Sequence, residues 1–273
     1  MNSCLWILLA ALLLCGLYLW LIAPARKRPD ASMLSGWLYA HRGLHDGNQR
    51  VPENSMEAFR LALANGYGME LDVQHTKDDQ LVVFHDASLK RVCKADLNIR
   101  DLTYEQLKQH PLPDGTPVPL FSEVLALVNG KAPLIVEIKH YGKVIHNAEA
   151  TLRALRAYQG PYCVESFHPA AVRYFKKNAP DIVRGQLASG GKRGSNDVNA
   201  VEYFAMKQLL VNVLGRPHFV AYSIPTDHTL AMWLMKRLYK PLLAAWTVRS
   251  QALLDSTMKN YDYPIFELFT PKR

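Results

Sequence analysis

Four short polar clusters within residues 41–86 carry the residue types that acid/base and metal chemistry require. They are H-R-G starting at His41, P-E-N-S at residues 52–55, E-L-D at residues 70–72 and F-H-D at residues 84–86. Three of them follow apolar runs of the kind that predicts buried strands. Polar groups at the carboxyl ends of buried strands are where α/β barrels and open α/β sheets place their chemistry. We therefore predict one site built from several strand ends.

A cation site is predicted from three carboxylates. Glu70 and Asp72 lie two residues apart on a predicted strand, so both side chains face the same side of the sheet. Two carboxylates held together repel each other unless a cation or a shared proton intervenes. Glu137 supplies a third acidic oxygen donor from another strand. An all-oxygen set favours one divalent cation, Mg²⁺ or Ca²⁺, over zinc. The alternative is a set of structural salt bridges with Lys139 as the partner.

His41 and His85 are the candidate general acid and base. Hydrolysis needs a base on the attacking hydroxyl and an acid on the leaving group, and imidazole titrates near working pH. Arg42 and Lys139 are candidates for binding the oxygens of an anionic substrate group such as a phosphate. The alternatives are core histidines satisfied by backbone groups and, for the two cations, ion pairs at the barrel rim.

Two aromatic residues and one loop complete the candidate site. Phe167 and Trp246 end predicted strands on the same face, where they wall a substrate pocket or belong to the core. Residues 189–196 form a predicted loop in which Lys192 and Arg193 meet an anionic head group or are simply solvated. Glu53 and Asn54 are within reach of the site, but Asn54 and Ser55 are both suitable helix caps, and capping is sufficient to explain Asn54.

The order of the motifs resembles a known enzyme family. H-R-G, P-E-N-S-x-x-A-F, E-x-D-V, T-K-D-x-x-x-V-x-H-D-x-x-L-x-R and E-I-K follow one another between His41 and Lys139. This series is similar to the glycerophosphodiester phosphodiesterase family, which has a phospholipase-C-like phosphodiesterase barrel. The resemblance implies Glu70, Asp72 and Glu137 as metal ligands, in agreement with the donor chemistry.

The resemblance resumes at E-S-F (residues 165–167) and W-T-V (residues 246–248) but departs near the end of the chain. Family members finish with a G-x-D-G-I-x-T-D-x-P strand, whereas this chain has Y-D-Y-P-I-F-E at residues 261–267. The departure leaves the closing strand, and any site residue on it, without a family counterpart.

Strands and helices alternate along the chain, which predicts a parallel sheet closed into a (β/α)8 TIM barrel. Beyond two strands that end at residues 40 and 73, the predicted strands are 81–84, 133–139, 162–167, 182–187, 219–223, 242–248 and 265–268. The predicted helices are one that begins at Asn54 and those at residues 103–108, 120–128, 145–158, 170–177, 201–214 and 227–239. Because Asp72 and Leu81 are too close for a helical crossover, we predict an irregular segment or hairpin at residues 76–80.

The amino-terminal segment is predicted to be a membrane anchor. Residues 4–23 contain no charge and are long enough to cross a bilayer as a helix. A cleavable signal peptide is the alternative, but no Lys or Arg precedes the run, which exceeds the usual h-region of about 7–15 residues. We predict a single-pass transmembrane anchor at residues 4–23, a linker at residues 24–36 and the catalytic barrel at residues 37–273. The basic residues at positions 26–28 place the barrel in the cytoplasm.

The net charge and the cysteine spacing argue against a nucleic-acid-binding protein, a zinc site and a disulfide framework. The formal net charge is +8, and its wide spread suits an anionic substrate or membrane surface rather than a nucleic acid. The four cysteines show neither a zinc-site nor a disulfide pattern. The sequence therefore predicts a metal-dependent phosphodiesterase of lipid and glycerol metabolism that releases glycerol 3-phosphate from glycerophosphodiesters. The alternatives are a lysophospholipase D and, from another class, a membrane-tethered binding protein without catalysis. The oligomeric state is left open.

Overall fold

The computed structural model describes residues 2–191 and 199–272, in which nine strands form one sheet. The predicted loop residues Lys192 and Arg193 lie outside this part of the chain. The strands are β1 (Tyr39–His41), β2 (Gly68–His75), β3 (Leu81–Val83), β4 (Leu134–Ile138), β5 (Tyr162–Ser166), β6 (Arg184–Ala188), β7 (Phe219–Ser223), β8 (Leu242–Val248) and β9 (Tyr263–Phe266). All of them except β3 are parallel neighbours around a closed ring.

The first and last strands close the barrel. β1 pairs with β2 on one side and with β9 on the other, with Tyr39 opposite both Gly68 and Ile265. β3 is an antiparallel addition to β2, joined to it by a turn in which Thr76 accepts a backbone hydrogen bond from Asp79. The predicted eight-stranded barrel and its local hairpin are both confirmed.

The helices follow the strands as the alternation predicted, but those at Lys90–Cys93 and Gln251–Thr257 were not predicted, and the one predicted at residues 227–239 begins at Leu230 and continues as a π-helix at Met235–Tyr239. They are α1 (Asn2–Ile22), α2 (Met56–Ala64), α3 (Lys90–Cys93), α4 (Tyr104–Leu107), α5 (Phe121–Val128), α6 (Val144–Arg156), α7 (Pro169–Asn178), α8 (Ala200–Lys207), α9 (Asn212–Gly215), α10 (Leu230–Leu234) and α11 (Gln251–Thr257). The single helix predicted at residues 201–214 is two helices, because the buried Leu209 adopts a φ of 56° between them. The helix predicted to begin at Asn54 begins at Met56, and Ser55 is its N-cap.

The sheet alternation places apolar and acidic side chains where the site needs them. On β4, Leu134, Val136 and Ile138 pack outward against the helices, in one hydrophobic cluster. Ile135 points inward with the side chains that fill the amino-terminal end of the barrel. Glu137 is the next inward residue, nearer the carboxyl end of the strand, and it is buried. The barrel interior therefore changes from apolar to acidic along a single strand.

The same alternation operates on β2. Met69, Leu71 and Val73 belong to the outer cluster, whereas Glu70 and Asp72 lie between them and face the interior. The register pairs Asp72 with Glu137 across the two parallel strands. Strand geometry alone thus brings acidic residues from two strands to one level of the barrel.

The segment at residues 24–36 packs along the amino-terminal end of the barrel. Ala31 and Leu34 are buried in the same cluster as Tyr39 and Phe219. The Tyr39 hydroxyl donates to the carbonyl oxygen of Leu34 at 2.6 Å. Part of the predicted linker is therefore in contact with the barrel, and the predicted domain boundaries remain predictions.

The carboxyl-terminal end of α1 is docked on the barrel. Helix residues Ser3–Ile22 are long and apolar enough to cross a membrane, with a mean hydropathy of 2.5 in the most apolar window. Ile22 is fully buried, and Asn212 donates from Nδ2 to its carbonyl oxygen at 2.8 Å. Arg216 donates to the carbonyl oxygens of Trp20 and Ala23 at 2.7 and 2.8 Å. These side chains satisfy carbonyl groups that the end of a helix leaves without partners.

Candidate active site

The turn after β1 positions the first two candidate residues. His41 ends β1, and Arg42 and Gly43 follow with φ angles of 55° and 77°. A Cβ on Gly43 would lie 2.8 Å from the Ala58 Cβ, so only glycine allows this turn to approach α2 so closely. The Arg42 backbone N–H donates to Glu70 Oε2 at 3.2 Å. The H-R-G motif is thus a tight turn that joins the histidine strand to the acidic strand.

The three predicted metal ligands converge. Glu70, Asp72 and Glu137 are buried, and one carboxylate oxygen of each lies within 4.8 Å of the others. Burial and the neighbouring carboxylates raise the pKa of Glu70 well above its ordinary value and raise that of Glu137. Glu70 and Glu137 are therefore unstable in their charged forms without additional positive charge.

A fourth carboxylate, from β5, adjoins this cluster. Glu165 pairs in register with Glu137 and is buried. Burial, followed by the charges of Glu137 and Asp72, raises its pKa well above the ordinary value. It belongs to the E-S-F motif at residues 165–167, for which no role was predicted. Its signal was its position at the end of a buried strand, the same signal that identified Glu137.

Two cations lie among these carboxylates. Lys139 Nζ is 2.8 Å from Glu137 Oε1 and 3.2 Å from Asp72 Oδ1. Arg42 Nη1 is 2.7 Å from Glu53 Oε1, and its Nε is 3.5 Å from Asp72 Oδ2. Burial alone would raise the pKa of Asp72, but the positive charges beside it, Lys139 first, hold that pKa well below its usual range.

The donor chemistry fits a divalent cation. Within the described residues, the four buried carboxylates outnumber the Lys139 and Arg42 cations beside them, and Glu165 Oε2 is buried without a hydrogen-bond partner. A hard cation with oxygen ligands would balance the excess charge. Lys139 forms the contacts expected of a salt-bridge partner, so ion pairs and a metal site are compatible here.

Asn54 contributes to the site rather than to the helix cap. Its side-chain Nδ2 donates to Asp72 Oδ2 at 2.8 Å, and its backbone N–H donates to the carbonyl oxygen of Arg42. The capping role predicted for it belongs to Ser55, whose Oγ accepts from the Ala58 N–H. Asn54 has a φ of 56°, which turns its amide away from the helix and toward the carboxylates.

His41 is paired with a carboxylate from the far end of the chain. Its Nδ1 lies 2.6 Å from Glu267 Oε1, and its Nε2 lies 3.8 Å from Glu70 Oε2. Burial lowers the pKa of His41 to about 4 despite the opposing effect of Glu267. Arg249 donates to Glu267 Oε2 at 2.7 Å, and the pKa of Glu267 is held far below its usual range by His41 and other donors, against the effect of burial. An ionised Glu267 accepts the Nδ1 proton, which leaves the Nε2 lone pair free.

His85 is paired with its own neighbour in sequence. Its Nδ1 lies 2.5 Å from Asp86 Oδ1, and Arg91 donates from Nε to Asp86 Oδ2 at 2.7 Å. The loop that carries both residues is held by Gln74, which donates to the carbonyl oxygens of Phe84 and Asp86. Like His41, His85 therefore has its Nε2 free of the carboxylate.

These side chains line a cavity of about 210 Å³. Phe167 and Trp246 form one wall, with ring centroids 5.6 Å apart and planes nearly perpendicular. The Trp246 Nε1 is buried without a hydrogen-bond partner, so a donor faces this region. The lining residues are His41, Arg42, Glu70, His85, Glu137, Glu165, Phe167, Leu187, Trp246 and Ile265. A larger cleft of about 580 Å³ lies elsewhere, with Asp255 and Lys272 as the charged residues in its lining.

No role was predicted for Glu267 from the sequence. The residue follows β9 in the segment that departs from the family pattern, where no motif marks it. It reaches His41 because β9 pairs with β1, with Phe266 opposite Ala40. Its only sequence signal was an acidic residue just after an apolar strand, the pattern that had been informative at other strands.

The chain has extensive similarity to known phosphodiesterases. A model of the glycerophosphoryl diester phosphodiesterase family matches residues 41–263. A glycerophosphodiester phosphodiesterase of Bacillus altitudinis is 35% identical over 158 residues, which cover 53% of this chain and 63% of the relative. A lysophospholipase D of Rattus norvegicus is 46% identical over 69 residues, which cover 25% of this chain and 21% of that protein. The matched segments thus span less than two thirds of either relative.

Solved structures share the barrel. A phosphodiesterase of Oleispira antarctica, in complex with the product sn-glycerol-3-phosphate, matches with a TM-score of 0.70 and 20% identity. The match covers 86% of this chain and 94% of that chain. Because the family model extends over most of the barrel, from His41 at the end of β1 to the start of β9, the chain belongs to the glycerophosphoryl diester phosphodiesterase family.

Proposed function

We propose that this protein is a metal-dependent phosphodiesterase that hydrolyses glycerophosphodiesters to an alcohol and glycerol 3-phosphate. One observation carries the proposal: the histidines of both histidine–carboxylate pairs line the same cavity as Glu70 and Glu137 of the buried acidic cluster. An acidic cluster supplies metal ligands, and the imidazoles supply the proton transfers that diester hydrolysis needs. The names of the relatives agree with this chemistry.

Glu70, Asp72 and Glu137 would hold the divalent cation, Mg²⁺ or Ca²⁺. When bound, the cation supplies Lewis-acid polarisation of a phosphoryl oxygen and neutralises charge that develops on it. The amide of Asn54 fixes the orientation of Asp72. Glu165 adjoins the cluster, and its Oε2, buried without a hydrogen-bond partner, is a further candidate ligand for the cation.

The two histidines take different roles in this proposal. His41 accepts a proton at Nε2 from the attacking hydroxyl, because burial keeps the imidazole neutral and Glu267 holds the proton on Nδ1. His85 donates a proton from Nε2 to the leaving alkoxide, and Asp86 stabilises its protonated form through Nδ1. The attacking hydroxyl is either water or the 2-hydroxyl of the glycerol, in which case water opens the resulting cyclic phosphate.

Arg42, Lys139 and the aromatic wall hold the substrate. Arg42 Nε is buried without a hydrogen-bond partner and is thus available to a phosphoryl oxygen. Lys139 contributes a buried positive charge at the same level of the barrel. Phe167 and Trp246 exclude water beside the reacting phosphate, and the unpartnered Trp246 N–H is available to a substrate oxygen.

A chelation experiment on the full-length chain in detergent tests this function. We expect glycerol 3-phosphate release from glycerophosphocholine, loss of release in excess EDTA, and recovery with Mg²⁺ or Ca²⁺. Asp72→Asn should weaken metal affinity because a neutral amide binds a hard cation less well than a carboxylate. Full activity in EDTA would refute metal dependence. Metal binding without turnover of any glycerophosphodiester would instead favour a binding protein that has lost catalysis.

Lysophospholipase D activity on membrane lysophospholipids is the second candidate. It is favoured by α1, which we propose as a single-pass anchor, because tethering raises the local concentration of a lipid substrate and not of a soluble one. The basic residues at positions 26–28 favour a cytoplasmic barrel. Comparison of lysophosphatidylcholine with glycerophosphocholine as substrates distinguishes the two activities. An amino terminus missing from the mature protein would identify a signal peptide instead.

A further inference from the structure

Four exposed apolar side chains lie on two barrel helices, α8 and α10, which follow the neighbouring strands β6 and β7. The residues after both helices contact α1, through Gln208 and Tyr239. Val201 and Phe204 are three residues apart on α8, and Leu230 and Trp233 are three residues apart on α10, so each pair occupies one helix face. All four are more than half exposed, at 77%, 55%, 58% and 59% respectively. We call these four residues the apolar collar.

The collar lies at the end of the barrel where the site opens. α8 follows the carboxyl end of β6, and α10 follows the carboxyl end of β7. Val201 and Leu230 are in the first turns of these helices, so they lie close to the strand ends that carry the chemistry. Helices in such barrels run antiparallel to the strands and therefore start at the catalytic face.

Contacts along α1 fix its direction relative to β7. After the helix ends, the Ala25 N–H donates to the carbonyl oxygen of Pro217, which precedes β7 at its amino-terminal side. Earlier in the helix, the Tyr18 hydroxyl donates to Gln208 Oε1 at 3.1 Å. Gln208 follows Lys207, whose carbonyl oxygen accepts from the hydroxyl of Tyr222 near the carboxyl end of β7.

α1 therefore lies along the outside of the barrel. Ala25, just after the helix, is near the amino-terminal end of β7, and Tyr18 is nearer the catalytic face. Residues 3–17 of α1 precede these contacts, continue in the same direction and are all exposed. At 1.5 Å per residue this projecting part extends about 20 Å beyond Tyr18. A bilayer core of about 30 Å needs about 20 residues, so the docked end must lie close to the membrane surface.

We infer that the apolar collar inserts into the surface of the bilayer that α1 enters, so that the active site opens toward the lipid. This rests on the proposed anchoring of α1. Lipid is the occupant because the collar helices flank a helix of membrane-spanning length: Tyr239, after α10, donates to the carbonyl oxygen of Leu19 at 2.6 Å. Trp233 is a residue type that concentrates at membrane interfaces. A lysophospholipid would then present its phosphodiester at the cavity while its acyl chain stays in the bilayer.

A quenching experiment tests insertion without relying on catalysis. The full-length chain, with Cys4, Cys15 and Cys93 replaced by alanine, is labelled with a fluorophore at Val201→Cys and reconstituted in phosphatidylcholine vesicles. Met258→Cys is the matched control, because Met258 is 58% exposed but lies at the end of α11, away from the catalytic face. Brominated acyl chains should quench the label at position 201 and spare that at position 258. Equal emission of the position-201 label in brominated and ordinary vesicles would overturn the inference.

A kinetic experiment tests the consequence. The double variant Phe204→Glu/Trp233→Glu should lower kcat/KM for lysophosphatidylcholine in vesicles by about tenfold, which corresponds to about 1.4 kcal/mol. Its rate on soluble glycerophosphocholine should be unchanged, and Met258→Glu should change neither rate. An unchanged rate on vesicle substrate would contradict the inference. If the parent protein turns over neither substrate, the proposed function fails, while quenching still decides the position of the collar.

Discussion

The two histidine–carboxylate pairs of this barrel have the same chemistry but different origins. His85 and Asp86 are neighbours in sequence, whereas His41 and Glu267 are 226 residues apart. Each carboxylate accepts from an arginine, Arg91 in the local pair and Arg249 in the remote one. The remote pair is also less exposed, with side-chain exposures of 12% and 8% against 28% and 25% in the local pair. Similar orientation of an imidazole is thus reached by a short loop in one case and by barrel closure in the other.

The difference in burial has a chemical consequence. Desolvation lowers the pKa of His41 to about 4, so its imidazole is neutral at pH 7 and suited to accept a proton. His85 has more contact with solvent, with a side-chain exposure of 28%. The proposed roles, His41 as base and His85 as acid, can be tested by removing the members of the two pairs in turn.

The largest effect is expected from the imidazoles themselves. His41→Ala and His85→Ala should each lower kcat by about 10²–10⁴, the usual contribution of a positioned acid or base. Steady-state kinetics on glycerophosphocholine measures the effect, and unchanged Mg²⁺ affinity serves as the control for an intact acidic cluster. A native rate in either variant would show that its pair is structural.

Replacement of the carboxylate should affect kcat differently in the two histidine–carboxylate pairs. We expect Glu267→Gln to lower kcat by about 10²-fold or more, because a neutral amide no longer fixes the tautomer of the buried His41. Asp86→Asn should cost less, since its histidine is partly solvated. Glu267 raises the pKa of His41, so its loss lowers that pKa and moves the acidic limb of the kcat/KM profile to lower pH. Equal losses in the two variants, with unshifted pH profiles, would remove the distinction between the pairs.

Replacement of the arginines should have the smallest effects on kcat. Here the local pair, with Arg91, should lose more activity than the remote pair, with Arg249. Arg249 is 62% exposed and contacts only Glu267 among the ion pairs of the described residues, so Arg249→Ala should lower kcat by less than about fivefold. Arg91→Ala should cost more, because Arg91 also binds Glu53, which holds Arg42. Parallel rate measurements on both variants check this order, and a larger loss for Arg249→Ala would refute it.

The same contrast explains how much of the site the sequence could predict. Glu70 and Asp72 were predictable because a strand places residues i and i+2 on one face, and F-H-D was predictable because all its members are local. Glu267 was not, because its partner is determined by which strand closes the barrel. Asn54 was misassigned as a cap, since its use depends on a backbone φ of 56° that the sequence does not encode in any motif.

The fold followed the same rule. The alternation of short apolar runs with helical segments predicted the barrel and the extent of β7 and β8. A buried strand can be recognised from its own apolar residues, without knowledge of its neighbours. The division of one predicted helix at Leu209 was missed because that residue is buried by tertiary packing in an otherwise helical pattern. Docking of α1 was missed for a related reason, because Asn212 and Arg216 lie some 190 residues after the helix that they bind.

Pairing of β1 with β9 also sets the time at which the protein becomes active during its synthesis. His41 emerges from the ribosome early, but Glu267 follows the last strand of the barrel and is made more than 200 residues later. At about 5–20 residues per second, at least about ten seconds separate the synthesis of His41 from that of its partner Glu267. The His41–Glu267 pair therefore forms only when β9 closes the barrel, so an incomplete chain lacks the pair to which we assign the base.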